Sequence, residues 1–228
     1  SVGIISDTIR LPENGTNEEL QKVVSSAANN ETVDGILVQL PLPNGLDERA
    51  ALSLIPPEKD VDGFSDVNIG RLTQFKDGSS RACTPAGMMK LLDYYGVGLE
   101  GKHAVVVGRS NIVGKPMALM LLERNCTVTV CHSKTKDLQK YTKEADILVC
   151  AAGRKHLITA DMVKEGAVVL DAGINRGEDK KIYGDVDFDA VYDKVNLITP
   201  VPGGVGPMTI TMLLLNTYEA GLRKIKNV

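Results

Sequence analysis

The sequence predicts an α/β protein in two lobes, and three observations carry that expectation. From about residue 86 onward, short apolar runs alternate with helical stretches, the rhythm of βαβ units building a parallel sheet. Those runs show no apolar/polar alternation, as expected of strands covered on both faces. The 22 glycines in 228 residues are clustered, which indicates loops approached closely by a ligand or by another stretch of backbone.

Composition narrows the class. The chain is long enough for one large domain or two small ones, each with a real core. A net charge of −3, 43% apolar and 24% charged residues exclude a disordered chain and argue against a nucleic-acid binder with a broad basic face. Three Phe, six Tyr and no Trp mean an aliphatic core. No run approaches the ~20 apolar residues that cross a bilayer; Met208 to Leu215 is too short. Cys83, Cys126, Cys131 and Cys150 form no C-x-x-C pair and have no His at zinc spacing. They read as reduced, mostly buried thiols of a cytoplasmic protein, with no metal site.

The elements follow in order. Val2 to Ile5 read as the tail of an element already under way, so a stretch ahead of Ser1 is expected. Thr16 to Asn29 is a helix capped by Asn17, with Leu20, Val23, Val24 and Ala27 on its apolar face. Gly35 to Leu40 is a short buried strand stopped by Pro41 and Pro43. Asp47 to Leu54 is helical, ended by Pro56-Pro57. The first lobe is placed at 1–86. In the second, 87–206, Gly87 to Tyr95 is a helix, His103 to Val107 a strand, Lys115 to Arg124 a helix and Thr127 to Cys131 a strand. Lys136 to Glu144 is a helix, Asp146 to Cys150 a strand, Ala160 to Glu165 a short helix, and Ala167 to Asp171 and Val195 to Thr199 are strands. The final segment, 207–228, carries a helix over Met208 to Ile225, beginning just past Pro207, and returns to the first lobe. The second lobe is thus doubly wound, of the Rossmann nucleotide-binding type, with a ligand expected in the cleft between the lobes.

Three constellations bear on chemistry. In the turn after the strand at 103–107, Gly108 permits the bend and Gly114 allows close packing, while the helix N-terminus offers N–H groups to an anion. Ser110 stands where the usual dinucleotide fingerprint has its second glycine. The next strand ends Cys131-His132-Ser133-Lys134-Thr135-Lys136, with no carboxylate until Asp137. A hydroxyl and cations there, with Arg109 facing them, suit a ribose 2′-phosphate, so NADP is favoured over NAD. Near the end, Thr199 to Thr209 packs three glycines and three prolines into eleven residues, a rigid loop with bare backbone suited to a flat ligand. In the first lobe, Gln39 beside Pro41 and the Asp60-Val-Asp62-Gly63 loop offer an amide to orient a reacting group and a carboxylate to accept paired hydrogen bonds from an aminopyrimidine edge. The three histidines are scattered, and His103, opening a strand, reads as structural.

With these residues in hand, the chain resembles the bifunctional methylenetetrahydrofolate dehydrogenase/methenyltetrahydrofolate cyclohydrolase family. The matching blocks are Val33 to Pro43, Pro56 to Phe64, Cys83 to Gly87, Val106 to Pro116, Cys131 to Thr135, Asp171 to Arg176, Gly184 to Phe188 and Pro200 to Thr209. They run in family order over essentially the whole chain. The resemblance implies a smaller folate-binding lobe and an NADP-binding lobe with the active site in the cleft. It implies oxidation of 5,10-methylenetetrahydrofolate with NADP, then hydrolysis of the methenyl product to 10-formyltetrahydrofolate, in one-carbon metabolism. It carries the family's active-site glutamine onto Gln39 and its pterin-holding carboxylate onto Asp62. Val38 and Leu40 flank the folate, and Pro202, Gly203, Gly204, Val205 and Gly206 close over it. Gly108, Arg109, Ser110, Ser133 and Ile174 match cofactor contacts, with Arg109 and Ser133 at the 2′-phosphate. The family's catalytic tyrosine and lysine fall upstream of Ser1, where a Tyr-x-x-x-Lys is expected; Ala82 stands where the family often has proline. A homodimer is implied. The alternatives are a monofunctional dehydrogenase, with NAD as a possible cofactor, and a truncated, non-catalytic form that binds nucleotide or folate.

Overall fold

A computed structural model describes residues 2–226, so Ser1, Asn227 and Val228, the outermost residues of the first and last predicted segments, lie outside the described residues. The chain divides into two compact units: unit 1 is Ser1–Arg81 with Leu213–Val228, and unit 2 is the uninterrupted stretch Ala82–Met212.

In unit 1, residues 2–10 form neither helix nor strand, and Val2 and Ile5 are exposed. Helix α1 (Asn17–Asn29) is capped by Thr16, not Asn17: the Thr16 hydroxyl accepts from Glu19 N while the Glu19 carboxylate accepts from Thr16 N. The reciprocal pair satisfies two orphan donors at once, and Asn17 turns outward to bond Gly45 O and Asp47 N. Helix α2 (Glu48–Ser53) starts at Asp47, whose carboxylate accepts from Ala50 N. Leu20 and Val24 of α1 pack with Ile36, Val38, Ala51 and Ile55 into one apolar cluster. The predicted strand at 35–40 is an extended segment joined by a single parallel bridge, Ile36 to Asp60. Its burial alternates: Ile36 and Val38 face the core, Leu37 and Gln39 face out. It is therefore half-covered, not sandwiched. Helix α3 (Asp66–Thr73) was not predicted. Its Gly and β-branched residues are weak helix formers, and the cap, Ser65 Oγ accepting from Asn68 N, holds it instead.

Unit 2 opens with helix α4 (Cys83–Tyr94), four residues earlier than expected. Gly87 is interior to it, because Met208 presses so close that an added Cβ would stand 2.8 Å from the Met208 Cβ. Then follow β1 (His103–Val107), α5 (Gly114–Glu123), β2 (Thr127–Cys131), α6 (Leu138–Thr142), β3 (Ile147–Cys150), β4 (Val168–Asp171), a hairpin of β5 (Asn175–Arg176) and β6 (Ile182–Tyr183), α7 (Phe188–Val191), β7 (Leu197–Ile198) and α8 (Val205–Lys226). Five strands form a wholly parallel sheet ordered β2-β1-β3-β4-β7. Ala104 to Val107 and all of β3 are buried, which is why these runs carry no polar alternation. One face packs Val105, Val107, Leu148, Cys150 and Val169 against Ile158 and Val191; α5 lies against β1, β2 and α4.

Several ends differ from expectation. Helix α6 is shorter than 136–144 because Asp137 takes a left-handed φ of 51°. The 160–165 segment makes only one 3₁₀ turn, Ala160–Met162. Helix α8 begins at Val205, before Pro207, which sits in the first turn where its missing N–H costs nothing. Hairpin strands of two residues and a four-residue α7 are too short for a periodic signal. All four cysteines are buried, and none of them forms a disulfide. His103 is structural: Nδ1 bonds Glu144 O at 3.2 Å and Nε2 bonds Thr129 Oγ1 at 2.9 Å. Among the described residues no helix is long and apolar enough to cross a membrane.

Candidate functional site

The first group of predicted residues lies in unit 1. From the Ile36–Asp60 bridge the two segments run parallel, so Val38 and Asp62 each stand two residues beyond it. Ile36 N donates to Lys59 O at 2.7 Å, and Gly35 lies so near Val61 that an added Cβ would be 2.5 Å from its Cγ1. Val38 is buried, Leu40 half-buried, and Gln39 exposed, its Nε2 donating to Leu40 O at 3.1 Å. The Leu40–Pro41 peptide is cis.

Asp60 and Asp62 separate by role. Asp60 is buried. Its Oδ1 accepts from Gly63 N (2.9 Å) and Phe64 N (3.2 Å), and its Oδ2 from Ser65 N and Asn68 Nδ2 (2.8 and 2.9 Å). Four donors leave it little capacity for anything else, and it shapes the loop that presents the half-buried Asp62. Asn216, buried in α8, donates to Val61 O at 2.8 Å and Arg81 O at 3.0 Å, clipping the same loop. Lys59 donates to Ala28 O and Asn30 O, both at 2.8 Å, at the end of α1. Neither Asn68 nor Asn216 was singled out from the sequence, although an amide inside the apolar run Met212 to Tyr218 was the available signal.

The second group lies along the C-terminal edge of the sheet in unit 2. Gly108 has φ +132°, and an added Cβ would overlap the Ala151 carbonyl. A Cβ on Gly114 would likewise overlap the Gly108 carbonyl. These two glycines press strand end, helix start and the segment after β3 together, leaving a backbone cradle at the N-terminus of α5 that fits a diphosphate. Ser110 Oγ accepts from Val113 N (3.1 Å) and Gly114 N (3.4 Å), closing the turn into the helix. Val107 pairs with Cys131, and Arg109 and Ser133 each follow these paired strand ends by two residues. Both are exposed, as are Lys134 and Lys136. The Ser133 turn is held by His132 N donating to Thr135 Oγ1 at 2.9 Å. Ile174, after β4, is 69% exposed.

Pro202 to Gly206 also belong to unit 2. Pro202 follows a cis bond, Gly203 has φ +105°, and Gly204 has no space for a side chain, since a Cβ would lie 2.5 Å from Pro200 O. Val205 is buried as the first residue of α8. The predicted folate residues therefore divide, with Val38, Gln39, Leu40 and Asp62 in unit 1 and the proline-glycine loop in unit 2.

Two buried carboxylates were given no role from the sequence. Asp171 ends β4 and Asp185 follows β6, and both are buried. Burial pushes the Asp171 carboxyl above the ordinary carboxylate range; three backbone N–H bonds oppose that and the Asp185 charge adds to it. Burial also raises the Cys150 thiol well above its usual value, helped by both carboxylates. A charged residue at the end of an apolar strand, with Gly173 and Gly184 nearby, was the sequence signal.

The chain matches known proteins over most of its length. Residues 82–225 match the tetrahydrofolate dehydrogenase/cyclohydrolase NAD(P)-binding domain, and residues 1–62 match the catalytic domain of the same family. The bifunctional protein FolD of Oceanobacillus iheyensis is 54% identical over 218 residues, covering 96% of this chain and 76% of that protein. The one from Streptococcus thermophilus is 55% identical over 224 residues, covering 98% and 78%. Among solved structures, the bifunctional methylenetetrahydrofolate dehydrogenase/cyclohydrolase of Campylobacter jejuni superposes with TM-score 0.90 at 53% identity, over 92% of this chain and 75% of that one. The Trypanosoma brucei enzyme, complexed with NADP and an inhibitor, has TM-score 0.90 at 41% identity, over 94% and 75%.

Proposed function

This chain belongs to the tetrahydrofolate dehydrogenase/cyclohydrolase family, and on that premise we propose that it oxidises 5,10-methylenetetrahydrofolate with NADP and hydrolyses the methenyl product to 10-formyltetrahydrofolate. The observation that carries the cofactor half is the pairing of the strand ends Val107 and Cys131, each two residues before Arg109 and Ser133, next to the cradle between Gly108 and Gly114. A guanidinium and a hydroxyl at that point suit a ribose 2′-phosphate, where an acidic residue would suit a free hydroxyl. NADP supplies the acceptor for the hydride that leaves the one-carbon bridge. Gly108 and Ser110 border the diphosphate, and Ile174 offers an apolar surface at the far end of the edge.

The folate half rests on Gln39 and Asp62. The Asp62 carboxylate accepts paired hydrogen bonds from the amino group and ring N–H of the pterin, fixing the ring's orientation. The Gln39 amide orients the one-carbon bridge, and Val38 and Leu40 give apolar contact beside it. The loop Pro202-Gly203-Gly204-Val205-Gly206, stiff and without bulky side chains, packs on the flat ring. Holding the bridge in one orientation is the protein's main contribution to hydride transfer. Water then adds at the carbon between the two nitrogens and the ring opens to the formyl product. The same reading makes the protein a cytoplasmic homodimer that acts on a small folate, not on nucleic acid or membrane.

The test is an assay of the full-length protein with 5,10-methylenetetrahydrofolate and either NADP or NAD, and separately with the methenyl compound alone. Reduction of NADP and hydrolysis of the methenyl compound are expected. No reduction of NADP would end the proposal, and dehydrogenation without hydrolysis would reduce it to a monofunctional enzyme. Light scattering at micromolar protein checks the dimer.

A further inference from the structure

We propose that Asp185 is a positioning residue for the nicotinamide half of the dinucleotide, its buried carboxylate tying the segment after β3 to the segment after β4. The inference rests on the NADP reading above and adds to it. In a doubly wound sheet a dinucleotide lies across the C-terminal edge of the strands, with its diphosphate at the first strand–helix turn and its adenosine ribose at the end of the second strand. Here those places are Gly108 and Ser133, and β2 is the outermost strand on that side of β1. The other half of the molecule therefore extends the opposite way, over the ends of β3 and β4.

Those two ends are the ones Asp185 joins. After β3, Ala151 N donates to Val107 O at 2.8 Å, and the Ala151 carbonyl abuts Gly108. The next three residues all donate to Asp185: Ala152 N and Gly153 N to Oδ2 at 2.6 and 3.0 Å, and Arg154 N to Oδ1 at 2.8 Å. From beyond β4, Asn175 Nδ2 donates to the same Oδ1 at 2.9 Å. Asp185 is in turn held by Asp171, whose Oδ1 accepts from Asp185 N (3.0 Å) and Gly173 N (2.8 Å) and whose Oδ2 accepts from Val186 N (2.9 Å). Gly173 has no room for a Cβ against Asp185, nor Gly184 against Asp171. Ile174, between Gly173 and Asn175, thus has a bonded residue on each side while its own side chain stays exposed. The partners of the Asp185 carboxylate are one amide and three consecutive backbone N–H groups, so its charge fixes the path of backbone and is not one half of an ion pair. A loop held this way keeps its position when a ligand arrives, and orientation at a reacting carbon is sensitive to displacements of about 1 Å.

The test compares ligands that report on different halves of the dinucleotide. In Asp185→Asn and Asn175→Ala proteins, affinity for 2′,5′-ADP should stay within about twofold of the parent. NADP reduction should lose between about 10-fold and 100-fold in kcat for Asp185→Asn, with a smaller loss of the same sign for Asn175→Ala. A merely structural role would weaken 2′,5′-ADP and NADP alike, and that result would overturn the proposal, as would parental kcat and NADP affinity in both folded variants. If Asp185→Asn does not fold, Asn175→Ala decides. If the parent protein reduces no NADP, the reading under it fails, while the ratio of NADP to 2′,5′-ADP affinity still decides the role of Asp185.

Discussion

The cofactor edge of unit 2 and the proposed folate surface of unit 1 are built by different means. At the cofactor edge, four parallel strand ends sit in register, from Cys131 through Val107 and Cys150 to Asp171. Backbone pairing fixes where each following loop begins, and glycines let the loops come close. In unit 1 a single bridge joins the segments that carry Gln39 and Asp62, and side chains do the rest, with Asp60 binding four donors and Asn216 two carbonyls. The turn glycines of the cofactor edge should therefore be most sensitive to the gain of a side chain, and the loop beside Asp62 to the loss of the Asp60 carboxylate.

The most damaging change expected is Gly108→Ala. It forces a Cβ against the Ala151 carbonyl at φ +132° and should destabilise unit 2 by about 3 kcal/mol or more. Urea unfolding should show the loss, and cofactor binding should vanish with it; a fully stable alanine variant would break the contrast. In unit 1 the matching experiment is Asp60→Ala against Asp62→Ala. Removing Asp60 should cost about 3 kcal/mol of stability, because buried donors lose a charged acceptor. Removing Asp62 should weaken folate binding by about 2–3 kcal/mol. An unchanged folate Kd would refute the role of Asp62. Next comes Arg109→Ala, an exposed residue whose loss should leave stability alone and lower the preference for NADP over NAD about tenfold, read from the ratio of kcat/KM values. Equal losses for the two cofactors would count against a 2′-phosphate contact.

The smallest effects are in pH dependence, and two carboxylates of unit 2 have opposite signs. The Asp146 carboxyl is held below its ordinary range by Lys164 at 2.6 Å and by His103 N at 2.9 Å. Its stabilisation is full above the ordinary carboxylate pKa and is lost as pH falls through the lowered folded value. The pair is partly exposed, so under about 1 kcal/mol is at stake, and Asp146→Asn should flatten the acid limb of the stability curve. Asp171 has a raised carboxyl, so its folded form holds a proton that the unfolded form has released. Its contribution therefore declines as pH rises from the ordinary carboxylate range through the raised value. Stability measured from pH 3 to 7 in Asp146→Asn leaves this second slope exposed.

Much of unit 2 was readable from the sequence because a parallel sheet covered on both faces writes itself as apolar runs. All five strands of its parallel sheet fall within those runs, and the glycine turn at 108–114 sits at the strand–helix junction expected of it. What escaped was whatever long-range contact decides. Gly87 looked like a helix start and is a helix interior, because Met208, far along the chain, needs the space. The one local miss is the cap of α1, where Thr16 takes the place expected of Asn17 through the reciprocal T-x-x-E bond with Glu19. Helix α3, with poor intrinsic propensity, depends on Ser65 and on the burial of Asn68. Residues touching ligands could be proposed from chemistry and resemblance, whereas Asp171, Asp185 and Asn216 act on other parts of the protein, and the polar residue in an apolar run that marks each of them does not say which backbone it holds.

The two hydrogen bonds that Asn216 donates to Val61 O and Arg81 O span 155 and 135 residues, and unit 1 is interrupted by the whole of unit 2. During synthesis the ribosome therefore releases every residue of the sheet-bearing unit before it releases the amide that secures the loop next to Asp62. A nascent chain halted before residue 213 would carry all of one unit and a first unit still waiting for the part of α8 from Leu213 onward.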